Sequence, residues 1–177
     1  MKIIKFLLVF IVSIIAIILI AALFINKDYK IEKEISIYKP RQVVFDYVKY
    51  LKNQYNYSYW ATLDSNMQIT YMGTDATPGF ISAWKGNKDA GVGEQEIVKL
   101  EDGKRIDYAL RFKEPMESNM SSYMTTEDAG SNITKVKWAM YGRQKFPWNV
   151  MNPFMDAMIG DDLEVGLSNL KKLMEAQ

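Results

Sequence analysis

The stretch PFMDAMIGDDLEVGLSNLKKLMEAQ, residues 153–177, decides the fold, because its apolar residues return every three or four positions. Phe154, Met158, Ile159, Leu163, Gly166, Leu167, Leu170 and Leu173 or Met174 fall on one stripe, as in a long amphipathic helix starting near Pro153. Gly160 and Gly166 each weaken such a helix by about 1 kcal/mol relative to alanine. Close approach to another surface is therefore expected where they sit.

Upstream of that helix the period changes to two. Residues 67–73, 80–84, 94–100, 105–113, 120–126 and 134–141 read as strands, with Ile106, Tyr108, Leu110 and Phe112 on one face and Val136, Trp138 and Met140 on another. Gly86, Gly91, Gly93 and Gly103 mark short turns, which join neighbouring strands antiparallel. Ile31, Ile35 and Ile37 add a first strand, giving six or seven in all. Pro40 then opens an amphipathic helix expected to run through Val43, Val44, Tyr47, Val48 and Leu51 to Asn53. After it comes an aromatic run, Tyr55, Tyr57, Tyr59 and Trp60.

The N-terminus is of another kind. From Phe6 to Ile25 only Ser13 is polar, and as a helix the run covers about 30 Å, the thickness of a bilayer's hydrocarbon core. A cleavable signal has a shorter apolar region and ends in a small-x-small site, which Ala21, Ala22, Leu23 and Phe24 do not form. The expectation is an uncleaved transmembrane anchor with its connector over residues 1–28, and one soluble domain over residues 29–177. Lys2 and Lys5 precede the span while Lys27, Lys30, Lys33, Lys39 and Arg41 follow it, so the positive-inside count is divided. The very short leading tail favours an external or periplasmic domain.

Composition removes several function classes. Cysteine and histidine are both absent, which excludes disulfides, thiolate or imidazole zinc sites, and Ser-His-Asp and Cys-His catalysis. The net charge of +1 has no basic stripe behind it, so no nucleic acid partner is expected. Gly91-Val-Gly-Glu94 lacks the third glycine and strand-to-helix context of a dinucleotide fingerprint. Asp161, Asp162 and Glu164 diverge around a helix and do not form a metal cluster. Neither cofactor nor metal is expected.

Strand, helix pair, antiparallel strands and long closing helix is the helix-grip order, an α+β arrangement in which a curved sheet wraps the C-terminal helix. Local residues agree with it in sequence order. They are Ile35-Ser-Ile-Tyr-Lys-Pro40, Val44-Phe45-Asp46-Tyr47-Val48, Trp60, Gly79 with Trp84, and Gly91-Val-Gly-Glu94. Further on come Leu110-Arg-Phe-Lys-Glu-Pro115, Thr134-Lys-Val-Lys-Trp138, Gly142, Gly160 and Gly166-Leu-Ser-Asn-Leu-Lys171. The chain from Tyr29 onwards thus resembles the START-like SRPBCC superfamily, especially bacterial proteins labelled polyketide cyclase/dehydrase or lipid-transport-like, many with a similar N-terminal membrane helix. It departs from them at Lys39, where alanine is common, and at Tyr55 to Trp60, where a tryptophan-rich loop is common. The resemblance implies an apolar cavity between sheet and closing helix that holds a lipid or other hydrophobic small molecule, with catalysis in only some branches.

Seven of the eleven methionines lie between Met116 and Met158, where flexible thioethers suit either a plastic pocket or ordinary core. The pocket reading takes Met120, Met124, Trp138, Met140, Met155 and Met158 as lining, together with Trp60, Trp84, Leu110 and Phe112. The Tyr55 to Trp60 run is expected as a pocket lip or as a belt touching lipid headgroups. For an enzyme of the cyclase or dehydrase type the candidates are Glu94, Glu96, Asp107, Glu114, Tyr108 and Tyr141, each needing to face an apolar cavity. A membrane-tethered binding module without catalysis is the preferred expectation; a structural envelope protein with no ligand is the third.

Overall fold

The computed structural model describes residues 2–176. Helix α1 (Lys2–Phe24) is followed by β1 (Asp28–Ile37), α2 (Arg41–Val48), β2 (Gln68–Met72), β3 (Ile81–Lys85), β4 (Val92–Glu101), β5 (Arg105–Glu114), β6 (Ser118–Asp128), β7 (Thr134–Arg143) and α3 (Met155–Glu175). The seven strands form one antiparallel sheet in the order β1-β7-β6-β5-β4-β3-β2. Helix α3 lies along its concave face beside β1, with Lys33 of β1 reaching Asp156 at 3.2 Å and Glu164 at 3.0 Å. This is the helix-grip arrangement.

The register sets two ends. Asp28 pairs with Arg143, Phe112 with Ser118, Lys85 with Val92 and Gln68 with Lys85. The starts of β1, β2, β4 and β6 therefore share one end with the finishes of β3, β5 and β7, and α1 joins the sheet there; we call it proximal. Two register shifts in β4, at Val92/Gly93 and Ile97/Lys99, bend that strand, as bulges do.

Trp138 is fully buried at the centre. Tyr57 and Trp60 meet its ring edge-on, with centroids 5.9 and 5.8 Å away, and its indole N–H donates to Ser122 Oγ at 3.2 Å. A Cβ on Gly166 would stand 2.7 Å from that ring, so the helix is glycine there because it lies directly on tryptophan. Gly160 is similarly close to the Lys33 side chain, at 2.8 Å.

Two expectations need correction. Helix α2 stops at Val48, and a separate 3-10 turn, Leu51–Asn56, replaces its last part. The cause is Asp75 in the β2–β3 loop, whose carboxylate accepts from the Leu51 N–H at 2.9 Å and the Lys52 N–H at 3.2 Å, capping a new turn. Helix α3 begins at Met155 after another 3-10 turn, Trp148–Phe154, and this offset puts Phe154 and Met158 on the exposed side of the apolar stripe. Residues 25–27 join α1 to β1, which starts at Asp28.

Candidate functional site

Between the proximal half of the sheet, the 3-10 turns after α2 and the first turns of α3 lies a cavity of about 280 Å³. Its size is near the lower edge of the roughly 300–1,000 Å³ typical of small-molecule sites. The sequence explains where it is. On β5 the inward residues run Ile106, Tyr108, Leu110 and Phe112, and burial falls steadily from complete at Ile106 to partial at Phe112. Met124, Ser122 and Met120 on β6 repeat the trend. A curving sheet closes on α3 at one end and parts from it at the other.

Seven of the residues expected to line a pocket are brought together on this wall: Trp60, Trp84, Leu110, Phe112, Met120, Trp138 and Met140. Trp84 is fixed by its indole N–H to the Ala90 carbonyl at 3.1 Å and by an edge-on contact with Phe112 at 5.5 Å. Three expected lining residues stand elsewhere. Met124 is buried deeper, accepting from the Tyr57 hydroxyl at 3.5 Å; Met155 is buried in the core away from the cavity; Met158 is exposed. The helix phase that turns Ile159 into the cavity necessarily turns Met158 out of it.

Sequence reasoning missed the polar part of the wall. Gln54, Ser58, Gln95 and Ser122 line it, and the Gln95 side-chain amide is buried with no partner for its Nε2. An unpaired buried donor costs about 1–3 kcal/mol. The signal was present: Gln95 alternates in phase with Gly93 and Ile97, both inward on β4.

The aromatic run divides. Tyr57 is buried in the core, and desolvation pushes its hydroxyl pKa well above the usual tyrosine value. Tyr55 and Trp60 line the cavity, with the Tyr55 hydroxyl 3.2 Å from Ser82 Oγ and its pKa also raised by burial. The run is a wall more than a belt. Beside it, Asp162 on α3 has its carboxyl pKa raised by desolvation and then by Asp161, an effect opposed by a hydrogen bond from Trp60.

The acid–base candidates lie mostly outside. Glu94 and Glu96 both pair with Arg111, the former at 2.9 Å, and Asp107 pairs with Arg105 at 2.6 Å. Tyr141 packs on Tyr123, 5.9 Å between centroids, whose hydroxyl donates to Glu32. Tyr108 is fully enclosed beside the cavity floor, and desolvation raises its pKa well above the ordinary value. Only Glu114, with Asp89, reaches the cavity, at its mouth beside Ala90, Gly91 and Pro115.

A closed-ended apolar cavity between sheet and closing helix is the geometry on which the comparisons with known proteins bear. The family described as polyketide cyclase / dehydrase and lipid transport matches residues 29–175. The chain belongs to that family. Solved structures agree with the fold that this family member adopts. A truncated norcoclaurine synthase from Thalictrum flavum superposes with a TM-score of 0.64 at 8% identity, covering 85% of this chain and 95% of that one. A solution structure from Thermobifida fusca gives 0.63 at 15% identity over 83% and 93%. An aromatase/cyclase from a Streptomyces species gives 0.61 at 10% identity over 84% and 94%. No curated protein matches this family member's sequence. At such identities the neighbours speak for the fold alone.

Proposed function

We propose that this protein is a membrane-tethered binding module that holds a lipid or other hydrophobic small molecule in the cavity between its sheet and α3. The observation that carries the reading is the makeup of the wall: tryptophan, phenylalanine, leucine and methionine, with one unpaired amide at Gln95. Such a surface suits a largely apolar ligand with one hydrogen-bond acceptor, because the amide then regains a partner inside a desolvated site. Family membership supports a hydrophobic ligand. Helix α1 supports the tether, being long and apolar enough to cross a membrane.

A cyclase or dehydrase activity needs a titratable group against the ligand. The wall offers Tyr55, and the mouth offers Asp89 and Glu114; the remaining candidates face elsewhere. The binding reading thus requires less of the site than the catalytic one.

The test uses the full chain purified in detergent, with native mass spectrometry of whatever co-purifies. Three of the four tryptophans line the cavity, so their emission also reports occupancy. A bound apolar molecule that leaves on delipidation, with a shift in tryptophan emission, is the expected result. A chain that takes up no lipid, fatty acid or polycyclic probe at any concentration below its solubility would falsify the module.

A further inference from the structure

The cavity mouth and the membrane helix are at the same end of the domain. The exposed residues of the cavity wall, which mark its mouth, are Asp89 in the β3–β4 turn, beside Ala90 and Gly91, and Glu114 and Pro115 where β5 turns into β6, both proximal by the strand register. Helix α1 enters the sheet at that end through β1.

The link between α1 and the domain is more than a tether. Asn149 donates through Nδ2 to the carbonyls of Ala22 at 2.7 Å and Ile25 at 2.8 Å. Asn152 donates likewise to Asn26 at 2.8 Å and Lys27 at 2.9 Å. The last carbonyls of a helix have no intrahelical donor; here the domain supplies one to α1 at Ala22 and holds the three connector carbonyls that follow. Asn149 and Ala22 are both buried by the contact. The 3-10 turn Trp148–Phe154 is therefore held level with the final turn of α1.

That turn carries exposed apolar side chains. Trp148 is 63% exposed and Phe154 58%, with Phe146 and Met151 exposed beside them. Across the mouth, Met116 in the β5–β6 turn is 67% exposed, and Met158 on the first turn of α3 is exposed as well. Among the described residues Phe146, Trp148 and Phe154 have neither a ring nor a cation partner. Lys27 and Lys145, brought near each other where the Gln144 N–H donates to the Lys27 carbonyl at 2.9 Å, form no ion pair among those residues.

We propose that these six side chains form a collar seated in the interface of the membrane that α1 spans, holding the cavity mouth against the lipid. Tryptophan, phenylalanine and methionine at interface depth, with lysines at headgroup level, match the chemistry of a bilayer surface. A ligand then passes between bilayer and cavity without crossing water, and the Asn149 and Asn152 bonds fix the angle at which the mouth is presented. This inference rests on the reading of α1 as a membrane span.

The absence of cysteine makes the test direct. Single substitutions Met116→Cys, Met151→Cys and Phe154→Cys, a distal control Val43→Cys and an anchor control Ile15→Cys are each labelled with an environment-sensitive fluorophore. The full chain is reconstituted in vesicles of phosphatidylethanolamine and phosphatidylglycerol, with and without lipid-borne nitroxide quencher. The collar labels and the Ile15 label are expected to lose most of their emission, and the Val43 label none. Quenching at Ile15 with collar labels as wet as Val43 overturns the collar and leaves the tether standing; that pattern is also what a collar reserved for a protein partner would give. An unquenched Ile15 label overturns the tether and the collar together.

Discussion

The distal half of the domain is solid and the proximal half is hollow, although the same strands run through both. At the distal end Ile37, Val44, Phe45, Ile97, Ile106 and Val136 are almost completely buried, and α2 closes over the sheet. At the proximal end the corresponding inward positions are Met120, Phe112, Trp84 and Met140, around a cavity. The exposed apolar residues differ in the same way. Distal Tyr38, Tyr50 and Tyr71 each lie under a lysine ammonium, at 4.5, 5.7 and 4.7 Å, whereas among the described residues proximal Phe146, Trp148 and Phe154 do not. Dense packing is thus concentrated at one end and open apolar wall at the other, a separation that lets a cavity stay open without undermining the fold.

The comparison breaks most directly by truncating one residue in each half. Phe45→Ala is expected to cost about 3–5 kcal/mol, the range for deleting a buried ring from a packed core. Met120→Ala opens onto space already present and is expected to cost under about 1.5 kcal/mol, while weakening ligand binding. Urea unfolding of the full chain in detergent reads both. Equal losses at the two sites would mean that the proximal half is packed as tightly as the distal one.

Alkaline pH gives the next largest effect. Tyr57 and Tyr108 have hydroxyl pKa values raised by desolvation in the folded chain, so above about pH 10 the unfolded chain loses protons that the folded chain keeps. Stability is intact below the unfolded value and falls as pH rises beyond it, with a limiting slope of about 1.4 kcal/mol per pH unit for each tyrosine. The double variant Tyr57→Phe/Tyr108→Phe is expected to flatten that fall, measured as the unfolding midpoint between neutral and strongly alkaline buffer. An unchanged slope would place the alkali-sensitive groups outside the core.

Gly166→Ala addresses the boundary between the halves. The added methyl meets the Trp138 ring at 2.7 Å, and the expected cost is about 1–3 kcal/mol by overpacking, despite alanine's better helix propensity. Thermal unfolding that rises for this variant would show that α3 has room to move away from the ring, and that the cavity is adjustable at its floor.

The strands were legible because alternation is local: β5 and β7 read correctly from Ile106 to Phe112 and from Val136 to Met140. Gly166 was legible too, as a weakness in a helix that a close neighbour had to explain. The end of α2 was not, because its cause, Asp75, lies 24 residues from Leu51. Seven cavity residues followed from inward phase plus the expected order of elements. Met158 did not, since one residue of helical phase separates a wall from a surface. The collar escaped sequence reasoning altogether. Phe154 read as core, and only the Asn149 bond to Ala22, 127 residues away, places that segment beside α1.

The smallest expected effect bears most closely on the ligand. Gln95→Leu keeps the side chain's approximate volume and removes an amide whose Nε2 has no partner. A buried donor without an acceptor is a net cost, so the ligand-free variant is expected to be as stable as the parent or more stable, by up to about 1 kcal/mol. Binding is expected to split by chemistry. A fatty acid or sterol, whose polar group can meet the amide, binds the variant more weakly, whereas a pure hydrocarbon probe binds it at least as well, because the wall has become wholly apolar. Tryptophan emission titrations with the two probe classes read the difference. A variant that loses stability would mean that the amide serves the fold, and the cavity would then offer a ligand only shape and apolar contact.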